Sequence, residues 1–180
     1  MTSFRFCDES DFGFGWIADE RMARASHALA VGGRVWLVDA LLWPDALERA
    51  RSLGEPAGVI QLLDRHNRDC ADVAAQLAVP HLRVPDRLDA PLELIRVVNM
   101  PLWHERALWL RDRRVLVVAD ALGTVGYFTR RGAPIGVHPL LRLFPPKRSL
   151  GRLDPDVVLV GHGEGVRDAS APFRKALRVG

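Results

Sequence analysis

Leu62-Leu63-Asp64-Arg65-His66-Asn67-Arg68-Asp69-Cys70, with Ala71 to Pro80 behind it, is the stretch whose reading decides the fold. The mostly apolar run Ala57 to Leu63 stops abruptly at side chains bearing nitrogen, oxygen and sulfur donors. Beyond it Ala71, Ala74, Ala75, Leu77 and Ala78 fall on or near one face at helical spacing. A buried strand that delivers such a cluster to the start of a helix is where many α/β folds keep their chemistry.

Outward from this turn the chain alternates short strands with helices. Ala25 to Ala30 and Val35 to Asp39 flank Gly32-Gly33, a hairpin signal. Pro44 to Leu53 reads as a helix, with Pro near its start, Ala46, Leu47, Ala50 and Leu53 on a stripe, and Gly54 as the stop. Leu92 to Val98 reads as a strand. Ala107 to Leu110 and Val115 to Ala119 read as a hairpin across Arg111-Asp112-Arg113-Arg114, ending in Asp120. Val157 to Val160 is a last buried strand running into Gly161-His162-Gly163-Glu164, and Ala171 to Val179 a terminal helix. Residues 1–10 are expected to be a loose start, Phe12 to Ile17 an edge strand or ligand-facing loop, and His81 to Pro91 irregular. Residues 123–152, rich in Gly and Pro, are expected to form an extended loop with one short helix.

With 180 residues, 48% of them hydrophobic, and five Trp and seven Phe, the chain reads as one globular domain over residues 1–180 with a substantial core. No apolar run approaches the roughly 20 residues of a membrane span, so no membrane partner is expected. Residues 1–10 include Asp8 and Glu9 and lack a hydrophobic signal segment; the expected location is the cytoplasm, with Cys7 and Cys70 both reduced. Net charge is +3 and the pI about 9.4. The densest basic run, Arg111 to Arg114, reads as a solvated turn, and no nucleic-acid partner is expected.

The organising stretch resembles the metallo-β-lactamase superfamily, whose T-H-x-H-x-D-H turn follows a buried strand. Placing Cys70 at the final His puts Leu77 and Pro80 at the family's offsets. Arg65 and Asn67 then stand for the first two His and Asp69 for the Asp, while His66 takes a non-ligand position. A register slipped by one would make His66 the second His, but it spoils the Leu77 and Pro80 offsets and puts Arg68 where the Asp belongs. The V-L-V-V-A-D-A-L segment at 115–122 resembles the family's strand ending in the metal-bridging Asp, here Asp120. The D-V-V-L-V-G-H-G-E segment at 156–164 resembles its closing strand, here with His162. The early hairpin ending in Asp39 matches as well, although an Asp there also serves as a turn cap. The family's G-H-T-P-G His falls at Pro101, with His104 three residues on.

The resemblance covers about residues 25–168. It implies an αββα four-layer sandwich, two mixed sheets face to face with helices outside, and hydrolysis by metal-bound hydroxide. The three positions of the family's first metal are Arg65, Asn67 and Pro101. A guanidinium about 4 Å from a divalent ion is repelled by roughly 8 kcal/mol at an effective dielectric of 20. The expectation is therefore a degenerate member without the di-metal centre and without a cofactor, a non-catalytic protein that binds a small molecule or a protein partner. In that reading Arg65 replaces the metal as the cation for Asp69 and Asp120. The alternative is a single Zn (or Mn/Fe) ion on Asp69, Cys70, Asp120 and His162, serving an ester, thioester or phosphodiester hydrolase. Asn67, His66, Trp103, His104 and Glu105 are the candidates to line the pocket.

Overall fold

Consecutive residues of a strand face opposite sides of its sheet, and here both sides are apolar. In Arg34–Val38, Trp36 and Val38 face one core cluster while Val35 and Leu37 face another. Leu29 and Ala28 split the same way, as do Ile60 and Val59. A sheet buried on both faces needs a layer on each side, and this requirement produces the sandwich. The computed structural model describes residues 2–66, 68–130 and 132–179.

In chain order the strands and helices are β1 (Phe4–Ser10), β2 (Gly13–Ala18), β3 (Ala25–Val31), β4 (Arg34–Val38), α1 (Pro44–Leu53), β5 (Glu55–Gln61), α2 (Cys70–Leu77), β6 (His81–Arg83), β7 (Glu93–Met100), β8 (Trp103–Leu110), β9 (Val115–Val118), β10 (Leu122–Gly123), β11 (Gly136–Val137), α3 (Lys147–Leu150), β12 (Val157–Val160), β13 (Val166–Arg167) and α4 (Ser170–Leu177). One sheet has the order β1-β2-β3-β4-β5-β6, antiparallel through β4 and parallel from β4 to β6. The other has the order β13-β12-β9-β8-β7, with only the β12–β9 pair parallel. β10 and β11 form a small separate ribbon. Helices α1 and α2 cover the outer face of the first sheet, on β4 to β6. Helix α3 packs on β7 and α4 on β11.

The local sequence accounts for most of these elements. Gly32 and Gly33 both take positive φ, 62° and 75°, which a two-residue hairpin turn demands and glycine supplies without strain. Helix α1 begins at Pro44, whose missing N–H costs nothing there, and stops at Gly54, whose φ of 152° an L side chain rarely adopts. Arg111–Arg113 form a single 3₁₀ turn, and Arg114 in the left-handed region returns the chain into β9.

Four expectations need revision. Residues 4–10 are not loose: β1 pairs antiparallel with β2, because alternate residues Phe4 and Phe6 stack on Trp43, and Phe6 also meets Phe14 edge-on. Consequently β2 is an interior strand, not an edge. Within 81–91, His81–Arg83 add a short parallel strand beside β5. Residues 123–152 hold the expected short helix, α3, and in addition the end of β10 and all of β11.

Candidate metal centre

The site lies where four strands end. Asp39 follows β4, His66 lies in the loop after β5, Asp120 follows β9 and His162 follows β12. β4 and β5 run parallel in one sheet, β9 and β12 in the other, so the carboxyl ends of both pairs meet at one edge of the sandwich. Backbone contacts close the two sheets together there: Arg24 bridges to His162, Leu63 bridges to Glu105, and Ala25 N–H donates to Gly161 O at 2.9 Å.

His66 stands between two carboxylates. Its Nε2 is 2.7 Å from Asp120 Oδ1, and its Nδ1 is 3.3 Å from Asp39 Oδ2. The second contact is ionic only, since its angle does not make a hydrogen bond. Asp39 is held in turn by the Leu62 N–H, 2.9 Å from Oδ1, and sits in the left-handed region at φ 47°. The His162 Nε2 approaches the same Asp120 oxygen at 3.2 Å, while its Nδ1 donates to the Met22 carbonyl at 2.8 Å. The candidate ligand atoms of His66, Asp120 and His162 all lie within 4.8 Å of one another.

Burial lowers the proton affinity of His66, but the Asp39 charge and the contacts with Asp120 and Asp39 outweigh it and raise the pKa to about 9. Burial opposes ionisation of Asp120, and its contacts with His162 and His66 more than reverse this, holding it well below the usual carboxylate range. Asp39 behaves alike: burial raises it, and the His66 charge brings it below the ordinary value. A second cation adjoins them. Arg68 turns inward, with its Nε shut off from solvent and its guanidinium donating to Gly161 O at 2.8 Å. Burial depresses its pKa, opposed by the charges of Asp39 and Asp120.

Beneath Asp120 lies Glu105, fully buried. Its Oε1 accepts from Ala119 N–H at 3.2 Å and Ala121 N–H at 2.9 Å, the two amides flanking Asp120. Its Oε2 accepts from Trp103 Nε1 at 3.0 Å. Burial pushes Glu105 up to about 7 against these hydrogen bonds. Glu105 and Trp103 therefore support the site from below, although both were expected to line a pocket; β8 turns them inward and leaves His104 exposed, paired with Asp64 at 2.8 Å.

Asp120, His162 and His66 come together, and the other described candidates lie outside this group of donors. Arg65 does not join Asp69 and Asp120: it sits in an exposed turn with its guanidinium 4.2 Å from the Trp103 ring centroid, where water still reaches it. Asp69 accepts from the Leu42 N–H at 2.8 Å, and its own N–H donates to Ala40 O at 3.0 Å, so it fastens residues 40–42 to the start of α2. Cys70, on the inward face of α2, packs in the helix layer with its thiol toward Ala40 O, and burial drives its pKa up to about 12. Neither belongs to the cluster of converging donors found among the described residues. Asn67 lies outside the described residues. Sequence reasoning missed Arg68 as the buried cation and gave His66 a non-ligand position. The signal was there in the register slipped by one, which puts His66 at a ligand and Arg68 at the acid.

The donors fit a divalent metal ion. Met22 O can only accept, so His162 Nδ1 carries the proton, and a neutral His162 then points a lone pair at a carboxylate oxygen. Two acceptors facing at 3.2 Å call for a proton or a cation between them. His162 also has its far nitrogen bonded to a carbonyl oxygen, the arrangement that orients metal-bound histidines, while the His66 Nδ1 faces Asp39 at 3.3 Å without a hydrogen bond.

No protein-family model and no curated protein sequence matches this chain. Solved structures do. A DIM-1 metallo-β-lactamase exposed to ceftazidime aligns with TM-score 0.64 and 13% identity, over 97% of this chain and 95% of that one. The TMB-1 enzyme aligns with TM-score 0.63 and 11% identity over 98% and 97%. A second DIM-1 structure aligns with TM-score 0.64 and 12% identity over 98% of both chains. Identity this low carries the fold alone. With two mixed sheets face to face, helices outside and strand ends converging on His66, Asp120 and His162, the chain has the metallo-β-lactamase fold.

Proposed function

We propose that this chain is a one-metal hydrolase, with His66, Asp120 and His162 holding a zinc-like divalent ion and an ester, thioester or phosphodiester as the substrate class. The observation that carries this reading is the approach of two imidazole Nε2 atoms to one oxygen of Asp120 while both Nδ1 atoms face outside acceptors. When bound, such an ion supplies Lewis acidity and lowers the pKa of water. The chain's own groups fix the donors. Asp39 orients His66, the Met22 carbonyl orients His162, and Glu105 ties down the amides on either side of Asp120. One ion rather than two is supported by the donors themselves: among the described residues one group of three, His66, Asp120 and His162, converges.

A second reading has its own observation. Asp39 and Asp120 together carry two negative charges, and Arg68 with a protonated His66 supplies two positive ones. That balance favours a degenerate, non-catalytic protein whose cleft binds a small molecule or a protein partner, with Arg68 as the resident cation.

Metal content per chain separates the two. Untagged protein purified without chelator is incubated with Zn²⁺, Mn²⁺ or Fe²⁺, dialysed and analysed, alongside Asp120→Ala. One ion per folded chain, lost in the variant, supports the hydrolase and justifies turnover assays on the three substrate classes. A folded wild type that retains no ion under any condition ends the hydrolase reading.

A further inference from the structure

We propose that the face built from Arg130, residues 132–148 and α4 docks the protein peripherally on an anionic lipid bilayer. From Ala121 to Leu153 the chain contains six Arg or Lys and no Asp or Glu, although the whole chain is nearly balanced at +3. Two cavities open side by side on this face. One, of about 320 Å³, is lined by Arg130, Arg142, Lys175 and Arg178 among apolar residues. The other shares Pro145 and Arg178 with it and adds Leu143, Phe144, Lys147 and Arg148. Among the described residues, no acidic side chain lines either.

These cations are paired differently from those elsewhere on the surface. Arg5, Arg49, Arg111, Arg113 and Arg114 each meet a carboxylate at 2.5 to 2.7 Å. Among the described residues, the exposed Arg130, Lys147, Arg148, Lys175 and Arg178 have no carboxylate within ion-pair distance. Five unneutralised cations on one face call for an external anion.

The apolar content of the face selects which anion. Leu143 and Phe144 are 82% and 84% exposed, and Leu140 is 70% exposed. The loop does not present them by fraying. Buried Leu141 and Leu150 anchor it on either side, and Arg142 donates to the carbonyls of Val137, Tyr127 and Phe128. Aliphatic tips such as Leu140 and Leu143 have no ring to stack on a nucleic-acid base, whereas an acyl layer beneath phosphate headgroups takes both the tips and the cations. No helix of the described residues is long and apolar enough to cross a membrane, and this contact needs none. The expectation of no membrane partner rested on the lack of a spanning segment, which does not bear on a peripheral contact. The proposal is independent of whether the cleft binds a metal.

Vesicle sedimentation tests it, using phosphatidylcholine alone against phosphatidylcholine with phosphatidylglycerol, at low and physiological salt. The full chain is expected to bind the anionic vesicles and to weaken with salt. Lys147→Gln with Arg148→Gln removes two surface cations, at about fivefold each, so binding should fall roughly 25-fold. Leu143→Ser with Phe144→Ser should weaken it by about tenfold or more if the tips enter the acyl layer. All four positions are exposed, and circular dichroism confirms that the variants fold. Equal binding to both vesicle types overturns the proposal. So does undiminished binding by the Leu143/Phe144 variant, or tighter binding at the same salt to a single-stranded oligonucleotide or to polyglutamate than to the anionic vesicles.

Discussion

Glu105 offers the sharpest test of how the site is supported. It has three donors pointing at it and is fully buried, so Glu105→Gln changes the donor count without changing the size. If the glutamine oxygen faces Ala119 and Ala121, its amide N–H₂ meets the Trp103 N–H; flipped, it meets two backbone N–H groups. Either way a buried donor is left unpaired, at a cost of about 1–3 kcal/mol. The pH dependence is more diagnostic than the cost. The folded-state pKa is raised to about 7 from an ordinary 4.5, with burial as the leading cause. A raised carboxyl pKa contributes stability that is fully present below the unfolded value of 4.5 and is lost as pH rises through the folded value of about 7. Between pH 5 and pH 8 the wild type should therefore lose about 2–3 kcal/mol that Glu105→Gln does not lose. Urea unfolding of both proteins across that range measures the difference directly, since titrating groups that do not interact with Glu105 cancel in the comparison. A difference that stays flat, or that grows with pH in favour of the wild type, would refute the claim that burial outweighs the three hydrogen bonds.

Two further expectations concern positions away from the cluster. The Cys70 thiol, buried and raised to about 12, should resist alkylation in the native protein at neutral pH and react only when urea exposes it; prompt native-state labelling would show that α2 opens locally. Gly136 in β11 lies so close to the Phe128 carbonyl that a Cβ would fall inside van der Waals contact of backbone. Gly136→Ala should destabilise by about 1–3 kcal/mol, read as a lowered Tm, and an unchanged Tm would mean that the ribbon shifts freely.

What the sequence reveals about this fold depends on how locally each feature is determined. The Gly32-Gly33 hairpin and the Pro44-to-Gly54 helix are legible because backbone chemistry at those positions admits few alternatives. The strands ending before Asp120 and Gly161 are legible because runs such as Val115 to Val118 and Val157 to Val160 suit a sheet buried on both faces. β1 is not legible, since its polar composition hides that Phe4 and Phe6 find Trp43 only in three dimensions. The loop from Asp64 to Asp69 is the instructive case. Leu77 and Pro80 fix where α2 ends, and Cys70 is fixed by its place in the helix layer, so the helix has one register. The described residues before it, Asp64 to His66 with Arg68 and Asp69, are not bound to that register, because their side chains are placed by what surrounds the loop. Trp103 stacks Arg65, Asp39 and Asp120 draw in His66, and the Gly161 carbonyl draws in Arg68. A motif alignment transfers helix positions through the helix's own geometry, but it carries loop side chains only as far as their tertiary partners agree. Here the partners that decide are two carboxylates contributed from outside the stretch, and they select the imidazole at His66 and the buried cation at Arg68.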